Sequence, residues 1–270
     1  MIRLVPLLLL VVWTYLASCF VRDSYFNLFV NRIRTALFRP VTWFQRLGPR
    51  MPEAAAAGVL LALVFAASCV LPKAMGADAS ATFGGFLPIA APRASLPRTA
   101  ALQAGSFLVL LGQLALLRTA FALRFGPGAR SEVREFLDAA VWPASRPRHP
   151  GAAAAAAAGL LLAGAWLCAC AALGLRALPQ GFVLLALLGA VDLLALLRGV
   201  LIALCVLSWL PLFFPGRMQA AAAMANEGLG DFTRLAFGRD FLAGPVSLGP
   251  LLLWFVLGFL HPMLVRLVAG

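Results

Sequence analysis

FVLLALLGAVDLLALLRGVLIALCVLSWLPLFF, residues 182–214, holds only two charges, Asp192 and Arg198, in an otherwise apolar run. About 20 such residues suffice to cross the ~30 Å hydrocarbon core of a bilayer. In that solvent the backbone can satisfy its own hydrogen bonds only as a helix or a closed barrel, and a run this long reads as helix. The segment is too long for one upright span, so it is expected to tilt or to break. Five more apolar stretches lie outside it, at 4–21, 54–72, 101–123, 151–175 and 248–268.

Taken in pairs, the six stretches enclose three basic loops. Each loop repeats a local text: Leu37-Phe38-Arg39-Pro40, then Ala140-Val141-Trp142-Pro143, then Leu235-Ala236-Phe237-Gly238, the last without the proline. A text repeated at this period points to a module written three times. The expected boundaries are 1–75, 101–177 and 178–270, with 76–100 as an external linker rich in Ala, Gly, Pro and Ser. The expected fold class is therefore all-α: a polytopic membrane protein of about six transmembrane helices, arranged as three helical hairpins with amphipathic loop helices.

Composition excludes most other classes. Apolar residues make up 63% and charged residues 12%, with a mean hydropathy of +0.95, whereas soluble domains average about half apolar and a quarter charged. The net charge of +12 comes almost wholly from arginine, and its placement is a topology signal. Fourteen arginines fall in the three loops, from Arg22 to Arg50, Arg124 to Arg148 and Arg217 to Arg239. The opposite side carries six cations, Arg3, Lys73, Arg93, Arg98, Arg176 and Arg266. The positive-inside rule then puts the loops in the cytoplasm and both termini outside, in a bacterial inner membrane. Lipid headgroups are the expected partners of the basic excess. Nucleic acid is not, because no stacking platform of the kind single-strand binders use accompanies the arginines.

At the N-terminus, Leu16-Ala17-Ser18-Cys19 has the look of a lipoprotein cleavage box after a short apolar stretch. Phe20 and Val21 prolong that stretch to a membrane-length run bounded by Arg22, so an uncleaved span is expected. Ala67-Ser68-Cys69 repeats the string inside the second stretch. All five cysteines lie in apolar stretches, where thiols behave as small hydrophobes. Cys168 and Cys170 point about 200° apart on a helix, and the two histidines, His149 and His261, are far apart in sequence. No metal or cofactor is expected.

Within the spans, Gly151, Ala152–Ala158 and Gly159 make the fourth stretch small-faced. Helices associate in lipid through such faces, so this one is expected at the centre of the bundle. The string Ala-Leu-Leu-Arg occurs twice, ending in Arg118 and in Arg198. Arg118 lies near the loop end and is expected to snorkel. Arg198 lies deeper, and Asp192, six residues earlier, is about 240° round the helix, so each is expected to meet another helix, a headgroup or water. Charges buried in a span are functional candidates by default. The loops are not simply solvated: 29–47 mixes Phe29, Val30, Ile33, Leu37, Trp43 and Phe44 with four arginines, in the style of an interfacial helix. Residues 217–237 repeat the pattern with Met218, Met224, Leu229 and Phe232, and read equally as an ordinary solvated loop helix with scattered apolar residues.

These residues resemble the YggT (YlmG-like) family of membrane proteins. Its pattern is an apolar span, Ser-Trp, a basic loop, Gly-x-x-Asp-x-Ser-Pro and a second apolar span. Leu207-Ser208-Trp209-Leu210-Pro211 matches the first part, and Gly244-Pro245-Val246-Ser247-Leu248-Gly249-Pro250 the second. Tyr15 and Arg22, with Arg39-Pro40 beyond them, look like the family's first repeat. The departures are a third module, Ser247 and Gly249 where the family usually has Asp and Ser, and Leu204 where an Arg often precedes Ser-Trp. The resemblance implies assembly or organisation at the membrane, and osmotic tolerance in some members, without a catalytic residue. The chain adds no phosphate loop, metal motif or activated nucleophile, so it is not expected to be an enzyme. The expectation is a non-enzymatic scaffold or assembly factor, docking a membrane-protein partner or a second copy of itself. The alternative is an ion or small-solute permease, with an osmotic-tolerance role, built on Arg198, Asp192, Arg118 and Gln113. The candidate functional or packing positions are Arg22, Arg39, Pro40, Arg118, Pro143, Asp192, Arg198, Ser208, Trp209, Gly244 and Pro250.

Overall fold

Apolar length decides most of the secondary structure. The computed structural model describes residues 4–20, 27–47, 51–74, 79–83, 87–91, 95–125, 131–141, 150–174, 179–214, 218–238, 242–243, 246–247 and 249–269. The helices are α1 (Leu4–Ser18), α2 (Leu28–Leu47), α3 (Glu53–Ala74), α4 (Leu96–Phe125), α5 (Glu132–Val141), α6 (Pro150–Leu173), α7 (Pro179–Phe213), α8 (Gln219–Phe237) and α9 (Gly249–Ala269). Proline stands at the start of α6 and α7 and second in α9, where its missing N–H has no intrahelical partner to lose.

Among the described residues, five helices are long and apolar enough to cross a membrane: α3, α4, α6, α7 and α9. The chain is an all-α membrane-spanning protein. The sixth expected span is shorter, because α1 ends at Ser18 and a turn follows in which Cys19 N–H reaches Leu16 O. Its fifteen described helical residues give ~22 Å of helix, the shortest of the six apolar helices. Residues 182–213 lie in one unbroken helix with Pro211 near its end. Within the expected linker, β1 (Ala79–Phe83) pairs antiparallel with β2 (Leu87–Ala91), Ala79 opposite Ala91 and Phe83 opposite Leu87, and α4 starts at Leu96. A second hairpin, β3 (Leu242–Ala243) with β4 (Val246–Ser247), precedes α9.

The centre of the bundle is α4, and not the alanine-rich α6. In α4, 67% of the most apolar window is buried, against 33% in α6. One side of α6 (Ala154, Ala158, Leu162, Ala165, Ala169, Ala172) is buried, while Ala152, Ala155, Ala156 and Gly159 stay exposed. Small residues let helix backbones approach closely. The closest such approach is to α4, where a Cβ on Gly112 would sit 3.0 Å from Leu162, and Leu185 of α7 joins the same cluster. The more varied surface of α4 touches helices on several sides. Its Leu110, Leu111, Leu114, Leu117 and Phe121 share one core with Leu10 of α1, Leu137 of α5, Leu201 of α7, Phe232 of α8 and Leu257 of α9.

The repeated loop text falls at three different places. Arg39 and Pro40 sit inside α2, exposed; Ala140-Val141 end α5; Leu235–Phe237 close α8, and Gly238 caps it at φ 77°, its N–H on Arg234 O at 2.8 Å. The left-handed conformation at that cap explains a glycine where the other loops have proline. The structure also adds what covers the apolar side of α2. That side, Ile33, Leu37, Val41 and Phe44, packs on Tyr15 of α1 and on Ala56 and Ala57 of α3. Protein lies against that side, because the ends of α1 and α3 offer an apolar surface directly beside it.

Candidate functional site where the loop helices meet

Helix ends leave backbone N–H groups without partners, and short polar residues supply them. Ser131 does so for α5, its Oγ accepting the Arg134 N–H at 3.2 Å, and Asn27 does so for α2, its Oδ1 accepting the Val30 N–H at 3.0 Å. Both caps are shared with a second helix. Asn27 Nδ2 donates to Glu132 O at 2.7 Å and to Glu132 Oε2 at 2.9 Å, and Oε2 also accepts the Leu28 N–H at 2.9 Å. Ser131 Oγ donates to Asp231 Oδ2 of α8 at 2.6 Å, and the same oxygen takes the Val133 N–H at 3.2 Å. Asp231, 3% exposed, holds Arg234 at 2.9 Å through its other oxygen. A carboxylate is favourable at the positive end of a helix dipole. The start of α5 is thus the point where α2 and α8 are tied together.

Further along α5, Asp138 meets Arg118 of α4. Arg118 is 1% exposed, its Nε donating to Asp138 Oδ1 at 2.5 Å and its Nη2 lying 3.4 Å from Oδ2. Arg118 therefore does not snorkel. A carboxylate is delivered to it by a helix folded back along α4, which spares the guanidinium a path to water. At the far end of α5, the indole N–H of Trp13 donates to Ala140 O at 2.8 Å, tying in α1. A separate network joins α1, α2 and α3. Glu53 accepts from Tyr15 Oη at 2.8 Å and from Arg34 Nη2 at 2.6 Å, and Arg34 Nη1 donates to Ser18 Oγ at 2.8 Å.

The remaining sequence candidates lie apart. Asp192, 4% exposed, accepts from Gln113 Nε2 of α4 at 2.9 Å, and the same amide donates to Gly189 O at 3.1 Å. Arg198 does not pair with Asp192; its guanidinium stacks on Trp254 of α9, 4.5 Å from the ring centroid. Ser208 turns back to Cys205 O of its own helix at 2.7 Å and Trp209 is exposed, so the two make no common site. Pro250 is buried at the start of α9. Arg22, Pro143 and Gly244 lie outside the described residues. The residues that sequence reasoning passed over are Asn27, Ser131, Glu132, Asp138 and Asp231. Two carried a readable signal, since Asn27 and Ser131 each stand just before a helix as N-caps do. Nothing local marks Asp138 or Asp231 as buried.

Chemically, these groups act as ties between helices. Among the described residues no three His, Cys, Asp or Glu side chains converge as a metal site would need. Compared with known proteins, the chain matches no family model, no curated protein and no solved structure.

Proposed function

We propose that the protein is a non-enzymatic scaffold or assembly factor of a bacterial inner membrane, with its loop helices on the cytoplasmic side, both termini outside, and a membrane-protein partner or second copy docked on it. The observation that carries this reading is the fate of the charged groups. Each residue a permease would be built on is engaged with another helix: Arg118 with Asp138, Gln113 with Asp192, and Arg198 with Trp254. Meanwhile α2, α5 and α8 are fastened into one cap. A pre-assembled surface lowers the ordering cost of binding a partner. The reading keeps the three modules, 1–75, 101–177 and 178–270, and their YggT-like character. What supports them is an element order that runs apolar helix, loop helix, apolar helix three times. Purification from native membranes in mild detergent is expected to recover a stoichiometric partner or a homo-oligomer. Consistent isolation as a lone monomer overturns the reading.

A further inference from the structure

Helix α2 carries four arginines and neither Asp nor Glu, and it divides them. Arg34 turns inward to Glu53 and Ser18. Arg32, Arg39 and Arg46 are exposed. Seven residues bring a helix back to within ~20° of the same direction, so these three form one stripe with a rise of about 10 Å between neighbours. Trp43 stands four residues after Arg39 and three before Arg46, on that same stripe, and is 58% exposed. Phe38, about 100° round from that stripe, is 59% exposed. Solvated helices usually interleave acids with such arginines, and this one supplies none.

The depth of the stripe follows from what lies behind α2. The helix rests on Tyr15 and Ser18 at the end of α1 and on Glu53, Ala56 and Ala57 at the start of α3. Helix α3 is one of those apolar enough to cross a membrane, so its first turns mark the rim of the hydrocarbon region and set α2 at the level of the headgroups. Exposed aromatics beside cations suit that depth, where a ring meets the acyl boundary and a guanidinium meets phosphate. A soluble acidic chain would match the arginines but leave Phe38 and Trp43 unused.

The geometry points to a binding site for the phosphate groups of anionic phospholipids on the outer stripe of α2, made by Arg32, Arg39 and Arg46 with Trp43. The test titrates the purified full chain in zwitterionic detergent with phosphatidylglycerol or phosphatidylcholine, and bound lipid is counted by native mass spectrometry. Phosphatidylglycerol is expected to bind in preference. The triple variant R32Q/R39Q/R46Q is expected to lose about a hundredfold in affinity, and each single variant about fivefold. The double variant R98Q/R266Q, at the other end of the bundle, is expected to bind as the parent does. Equal binding of the two lipids, or an unchanged triple variant, overturns the site. Two competitors identify the source of the phosphate chemistry. Displacement by inorganic phosphate at equal concentration would show a free-anion site, and displacement by a polyglutamate peptide would show an acidic protein partner. Either overturns the lipid assignment, whereas failure of both to compete supports it. Should the triple variant lose its helical circular dichroism, the three single variants carry the test.

Discussion

Arg118 and Arg198 are introduced by the same four letters, yet the regions around them solve the problem of a membrane arginine in opposite ways. In the α4–α5 region the guanidinium is shut in at 1% exposure and neutralised by Asp138. In the α7–α9 region it stays half-buried, laid over the face of Trp254 with Gly258 beside it. A full ion pair in a low-dielectric interior is strong only while both partners are present. A stacked cation at a partly open edge contributes less, and less is lost when it goes. The local text therefore does not set the role of the charge; the neighbouring helix does.

The largest effect is expected at the closed site. Asp138→Ala leaves Arg118 buried without its counter-charge and should destabilise the protein by about 3–5 kcal/mol. The double variant Arg118→Met with Asp138→Leu should recover most of that loss, because it removes both charges and fills the space with apolar atoms. Reversible unfolding in mixed micelles reads both. An Asp138→Ala protein as stable as the parent would break the comparison at its stronger half.

Next in size comes the upper end of the same region. Glu132 accepts from both Asn27 and the Leu28 N–H, so it fastens the first turn of α2 to α5. Glu132→Ala should cost about 1–2 kcal/mol, the usual range for a lost cap. It should also speed hydrogen exchange at residues 28–31 without changing exchange in α9. If the increase spread evenly through all helices, the cap would be no local device.

How much of this was legible in the sequence follows from range. Apolar run length gave the helices of 54–72, 101–123, 151–175, 182–214 and 248–268, because in lipid a long apolar run has few other structures open to it. The separation of Asp192 from Arg198 was also legible, since it depends only on helical pitch. Partner choice was not. Asp138 lies 20 residues beyond Arg118, in the loop that follows its span, and only the backward fold of α5 brings the two within 2.5 Å. The central place of α4 was hidden for a similar reason. Small residues announce close approach to some neighbour but do not count neighbours, and α6 spends its small face chiefly on α4, with Leu185 of α7 beside it. In α2 the amphipathic pattern was plain, but periodicity marks an apolar side without naming what covers it.

The smallest effect on stability is expected at Arg198, and it is the most useful for function. Arg198→Leu gives up a cation–π contact of about 0.5–1 kcal/mol but also removes a charge from an apolar span, so the two changes largely offset each other. Expression and unfolding should match the parent. If the arginine is an anchor, proteoliposomes of parent and variant should show the same absence of flux across a broad panel of ions and small solutes. If the open edge of α7 and α9 is a transport element, the parent should carry a solute and the variant should lose that flux while remaining folded. The half-buried state of Arg198 makes it the charge most able to exchange partners, whereas Arg118 and Asp192 are already committed to Asp138 and Gln113. The permease alternative therefore stands or falls on this one side chain.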